Sequence, residues 1–121
     1  MKTLNEIANE VYEPYQHFYK TYDDIEYQIL HLRGEVDELA EAIVNGNESS
    51  WADCDIAENN VEHFEKHIKN TIQDELADIL IMTLSLCRLY GMTLSKYDIA
   101  WHIEHKMRYN KYRIKAQEEE G

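Results

Sequence analysis

Apolar residues return along this chain at intervals of three and four, with no sustained alternation of apolar and polar positions, so the pattern predicts helices throughout. One proline and four glycines leave few places where such helices are made to stop. Leu4, Ile7, Ala8, Val11, Tyr12, Tyr15, Phe18 and Tyr19 form the first helical row, which Pro14 is expected to split. A second helix, from about Asp23 to Val44, carries Ile25, Ile29, Leu32, Val36, Leu39 and Ile43 in one stripe about 80° wide. It ends at Asn45-Gly46-Asn47, residues tolerant of a left-handed backbone.

The stretch from Glu48 to Asn70 is less regular. Trp51, Ile56, Val61, Phe64 and Ile68 suggest a short amphipathic helix from about Ala57, preceded by a loop. In that loop Trp51 is either a lid over a ligand or an anchor to the core. The third well-marked helix begins near Thr71, whose hydroxyl with Asp74 resembles a capping box, and runs to Tyr90 before Gly91. From Ile79 to Tyr90 it is apolar on nearly every side, which calls for a central position or a subunit interface. A last helix is expected from about Ser95 to about Ala116, with Gln117 to Gly121 fraying. With no repeat, low-complexity segment or boundary in view, residues 1–121 read as one all-α domain, a bundle of four to five helices.

Two acidic stretches change the picture. Gly34-Glu-Val-Asp-Glu38 and Asp74-Glu-Leu-Ala-Asp78 each set two carboxylates three residues apart, Glu35 with Glu38 and Glu75 with Asp78. Such pairs are common on solvated helix faces, but these two border apolar stripes. Antiparallel packing of the two helices would gather four carboxylates at the border of a core. Like charges so placed repel unless a divalent cation holds them, and hard oxygen ligands suit magnesium or manganese. Asp37 and Glu41 point further from the stripe and are read as surface charges.

The 12 basic and 24 acidic residues give a net charge of −12, which argues against DNA as a partner. The charge is uneven: Lys106, Arg108, Lys111, Arg113 and Lys115 follow one another with no carboxylate between them. Lys106, Asn110 and Arg113 share one side of the last helix, bordered by Ile103, Met107 and Ile114. Arg113 can grip phosphate oxygens through paired donors, and Lys106 supplies a point charge. The plainer alternative is a basic helix end that complements its own dipole.

Cys54 and Cys87 lie in different predicted elements and suggest no disulfide framework, consistent with a reducing cytoplasm. Neither is read as a nucleophile. The start of the chain lacks an apolar signal core, and the apolar run Ile79 to Met82 is too short for a membrane span. His63 and His67 have the spacing of a helical zinc pair but no evident third ligand, and His102 is read as a surface residue.

Taken together, Glu35-Val-Asp-Glu38-Leu-Ala-Glu, Glu75-Leu-Ala-Asp78-Ile-Leu, and Lys106 with Asn110 and Arg113 resemble the MazG-like all-α nucleoside triphosphate pyrophosphohydrolases. The resemblance implies magnesium-dependent hydrolysis between the α and β phosphates, giving a nucleoside monophosphate and pyrophosphate. It assigns Glu35, Glu38, Glu75 and Asp78 to metal, with Glu35 or Glu38 orienting or deprotonating the water. Lys106, Asn110 and Arg113 are assigned to phosphate or sugar. It also implies a homodimer or homotetramer whose neighbouring subunit completes the site.

Two departures stand out. The interval between the acidic pairs is longer than is usual in the family, so residues 48–70 look like an insertion, and Met82 lies where relatives often carry a tyrosine. Two other classes compete with this reading. One is a non-catalytic helical interaction module. The other is a carboxylate di-iron bundle, which wants Glu-x-x-His where this chain has Glu38 and Asp78.

Overall fold

The computed structural model describes residues 1–18, 25–49 and 61–120, and within 13–18 the backbone alone. Five helices occupy these residues: α1 (Leu4–Phe18), α2 (Ile25–Val44), α3 (Val61–His67), α4 (Ile72–Leu89) and α5 (Ile99–Glu120). No strand occurs among the described residues, so the fold is all-α. The side chains of Tyr15 and Phe18, together with Tyr19, Trp51, Cys54, Ile56 and the helix start expected near Ala57, fall outside what is described.

The ends of α2 and α4 form where local chemistry stops a helix. Beyond α2, the Gly46 N–H donates to Ile43 O and the Asn47 N–H to Ala42 O, with Gly46 at φ 64°, the Schellman arrangement. The same pair of bonds recurs beyond α4, from Gly91 to Arg88 O and from Met92 to Cys87 O, with Gly91 at φ 74°. At the start of α4 the Asp74 N–H donates to Thr71 Oγ1 at 3.3 Å. The Asp74 carboxylate takes the Asn70 N–H at 2.9 Å, one residue before the box the sequence suggests.

α4 is central, packed against α1 on one side and α2 on the other. The Ile72 N–H donates to Asn47 O at 2.7 Å, so α4 begins where α2 ends. Further along, Glu35 comes against Asp78, and the two helices therefore run antiparallel. Buried apolar side chains among the described residues are Ala8, Tyr12, Ala42, Met82 and Ile99.

Several expectations are corrected. α1 passes through Pro14 unbroken: the proline removes one backbone donor near the helix end, and Glu10, whose bond is lost, is exposed to water. α5 starts at Ile99 instead of near Ser95, because the Asp98 carboxylate accepts the Trp101 N–H at 2.9 Å and so acts as N-cap. Its end does not fray at Gln117 but stays helical to Glu120, since Lys115-Ala-Gln-Glu-Glu-Glu120 consists of strong helix formers. α2 is also turned relative to its apolar stripe. Its packed line runs through Gln28, Leu32, Glu35, Leu39 and Ala42, while Ile25, Ile29, Val36 and Ile43 stay exposed on one flank. Small Ala42 on α2 and Ser85 on α4 are both buried, and small residues let helix backbones approach closely.

Candidate metal centre

Turning α2 in this way moves Glu35 from the edge of the stripe into the packed line. Glu35, Glu75 and Asp78 each offer a carboxylate oxygen, and the three oxygens lie within 4.8 Å of one another. Glu75 is only 4% exposed. Glu35 Oε2 and Glu75 Oε2 are buried without a hydrogen-bond partner. Glu38, one turn along α2, is exposed at the rim and comes close enough to share a proton with Glu35 or Glu75.

Burial disfavours the ionised form of these acids, and their neighbours' charges disfavour it further. The Glu35 carboxyl is raised from 4.5 to about 7, first by desolvation, then by Asp78 and Glu38. Glu75 is likewise raised to about 7, by desolvation and then Glu38. Asp78 is raised by burial and by Asp74 and Glu38. His31 partly offsets this crowding: its Nε2 lies 3.3 Å from Glu35 Oε1, and its charge lowers the Asp78 carboxyl. The sequence reading passed over His31, although its place four residues before Glu35 puts it on the same face of α2.

Orphaned, desolvated, mutually repelling oxygens with hard donor character fit a divalent cation. Magnesium or manganese bound there would be held by Glu35, Glu75 and Asp78, with Glu38 beside them. Among the described residues no other group of three or more acidic, histidine or cysteine side chains could hold a metal. His63 and His67 sit with ring centroids 4.5 Å apart. The Cys87 thiol is pushed up by burial, which makes it a poorer nucleophile.

Lys106, Asn110 and Arg113 are placed differently. All three are exposed on α5, which packs on α1, whereas the acids lie on α2 and α4. Lys106 Nζ and the Arg113 guanidinium lie over the Tyr109 ring, at 5.0 and 5.7 Å from its centroid. Arg108 is engaged by Glu104 at 2.7 Å. Asp98 anchors the root of α5: while one oxygen caps the helix, the other accepts the Asn5 side chain from α1 at 3.0 Å.

Beside the acids, a polar cavity of about 260 Å³ extends toward the loop at the end of α2. It is lined by Glu38, Glu41, Asn45, Asn47, Asn70 and Glu75, over Ala42. Glu41, read from sequence as a surface charge, thus forms part of its wall. Asn45 and Asn47 were legible only as helix-stop residues, and Asn70 only as the end of the irregular stretch.

The molecule is thus an all-α bundle with an acidic centre between two antiparallel helices. A model of the MazG nucleotide pyrophosphohydrolase domain matches residues 23–109, well over half of the chain, and the chain belongs to that family. No curated protein and no solved structure matches it. No described helix is long and apolar enough to cross a membrane.

Proposed function

We propose that this protein hydrolyses a nucleoside triphosphate to the monophosphate and pyrophosphate, with magnesium or manganese held by Glu35, Glu75 and Asp78. The observation that carries this reading is the close trio of desolvated carboxylates, from two helices, in a chain of the MazG family. When bound, the cation would polarise a phosphoryl oxygen and lower the pKa of a water. Glu75 and Asp78 fix its place from the rigid central helix. His31 holds the Glu35 carboxylate in position through its Nε2. Of the two acids that can orient or deprotonate the attacking water, Glu38 stands outside the close trio and is assigned that role. Lys106, Asn110 and Arg113 neutralise and grip the phosphate chain. The biological task is a house-cleaning or pool-controlling one.

On this reading the basic side chains reach the acids of a second copy in a homodimer or homotetramer. Two features support this. A groove of about 460 Å³ between α1, α4 and α5 is lined mainly by apolar side chains, including Leu4, Ile7, Leu80, Leu84, Ile99 and Ile103. The exposed residues Met107 and Ile114 carry that apolar stripe outward along α5.

The test is to incubate the purified protein with a panel of nucleoside triphosphates and magnesium, and to resolve the products. Pyrophosphate with a monophosphate is expected; orthophosphate with a diphosphate means that another bond is cut. Asp78→Asn is expected to abolish turnover while circular dichroism remains helical. A wild-type rate in that variant removes the metal assignment.

A further inference from the structure

We infer that the polar cavity beside the carboxylates receives the nucleoside part of the substrate, and that Asn45, Asn47 and Asn70 read it. This rests on the proposed pyrophosphohydrolase activity and adds to it where the uncharged end of the substrate lies and which side chains discriminate. The juxtaposition is the ground for it: three asparagines from two separate loops converge on a cavity whose far wall, Glu75, also belongs to the metal centre.

Size comes first. Pockets for drug-sized ligands run to about 300–1,000 Å³, so 260 Å³ accommodates one moiety and not a whole nucleoside triphosphate. Charge then selects the moiety. No cationic side chain is in the wall, and the cation proposed at Glu75 draws the phosphates to that edge, which leaves the Glu41 and asparagine end for an uncharged group. A neutral group rich in donors is welcomed, such as a base edge with an exocyclic amine or a sugar hydroxyl.

The asparagines suit that task because their backbones are committed and their side chains are not. Asn45 N–H donates to Glu41 O and Asn47 N–H to Ala42 O, while Asn47 O accepts from Ile72. Asn70 N–H donates to the Asp74 carboxylate. None of the three side-chain amides is hydrogen-bonded among the described residues, and each offers two donors and an acceptor. Asn70 holds a φ of 65°, a conformation that asparagine tolerates better than most residues.

The test is a table of kcat/KM for the four ribonucleoside triphosphates and their deoxy counterparts, with magnesium, for wild type, Asn45→Ala, Asn47→Ala and Asn70→Gly. Glycine at 70 removes the amide while keeping the left-handed backbone. Each variant is expected to flatten the discrimination between nucleotides by about fivefold, the worth of one hydrogen bond, with KM changing more than kcat and the products unchanged. Asn47→Asp provides a readout that misfolding cannot mimic: by exchanging donors for acceptors it should turn preference toward amino bases. Comparing ribo with deoxy substrates separates contacts to the sugar from contacts to the base. Unchanged ranking and unchanged KM in all four variants, while wild type still releases pyrophosphate, overturn this inference and leave the metal centre standing. A shift in magnesium requirement alone overturns it as well. If wild type releases no pyrophosphate, the reading of the whole site falls and this inference with it.

Discussion

The α2–α4 pair and α5 solve opposite problems. The pair takes acids out of water: Glu75 is buried, Glu35 lies in the packed line, and one oxygen of each is left without a hydrogen-bond partner. α5 leaves its cations in water, with Lys106 and Arg113 resting only on the exposed Tyr109. On the proposed function, one half of the site is therefore preorganised within the chain, at the expense of stability, and the other half is unplaced until something brings it to the acids. Preorganised charge in a dry setting is where catalytic power resides, and a solvated arm is where affinity and assembly are tuned.

The largest effect should come from the buried half. Glu75→Gln is expected to lower turnover about 10³-fold, read by pyrophosphate release. The same substitution should raise the melting temperature of the metal-free protein, because it removes a repelled, desolvated charge. A melt lower than wild type would mean that Glu75 is not repelled in the fold.

Arg113→Ala is expected to cost about 10-fold to 100-fold in kcat/KM, the value of hydrogen bonds to a charged group. It also decides where α5 acts. Mixed after unfolding and refolding, Glu75→Gln and Arg113→Ala chains should recover about one quarter of wild-type activity if each arm serves its partner in a closed dimer. A mixture as inactive as its components places the arm on its own chain. His31→Ala, which leaves Glu35 unsupported, should lose about tenfold in turnover and shift the metal concentration needed.

The smallest effect is on pH and stability. In the metal-free protein Glu35 and Glu75 hold protons up to about 7, against 4.5 ordinarily, so the folded state binds protons more tightly than the unfolded one. The stabilisation from protonation is full below pH 4.5 and lost as pH rises through about 7. The melting temperature should fall by a few degrees across that window. Saturating magnesium or manganese should flatten or reverse the slope, because it binds the ionised form, and a chelator should restore it. A flat profile without metal would contradict the crowding at the centre.

How much of this was legible in the chain depends on the reach of each signal. The ends of α2 and α4 were readable because Gly46, Gly91 and Thr71 act through bonds to their immediate neighbours. Each acidic pair was readable because i, i+3 spacing places groups on one face whatever the tertiary packing, although of the four acids expected together only Glu35, Glu75 and Asp78 form the close group. The rotation of α2 was not, since it depends on which face packs against α4, and that is set by a helix far away in sequence. The polar cavity was beyond reach for a related reason: Asn45 and Asn47 lie far in sequence from Asn70, and only the antiparallel pairing joins them. At Pro14 and at the last turn of α5 local rules were weighed too heavily. One lost bond near a helix end is tolerated, and strong helix formers continue where a tail was expected to fray.

Asp98 has a consequence beyond capping. With one oxygen on α1 and the other on the first turn of α5, it is the hinge pin of a lever 22 residues long, or about 33 Å. A swing of about 10° at that pin carries the far end through about 6 Å, a helical turn and more. Asp98 thus fixes the root of the helix whose far half carries Arg113.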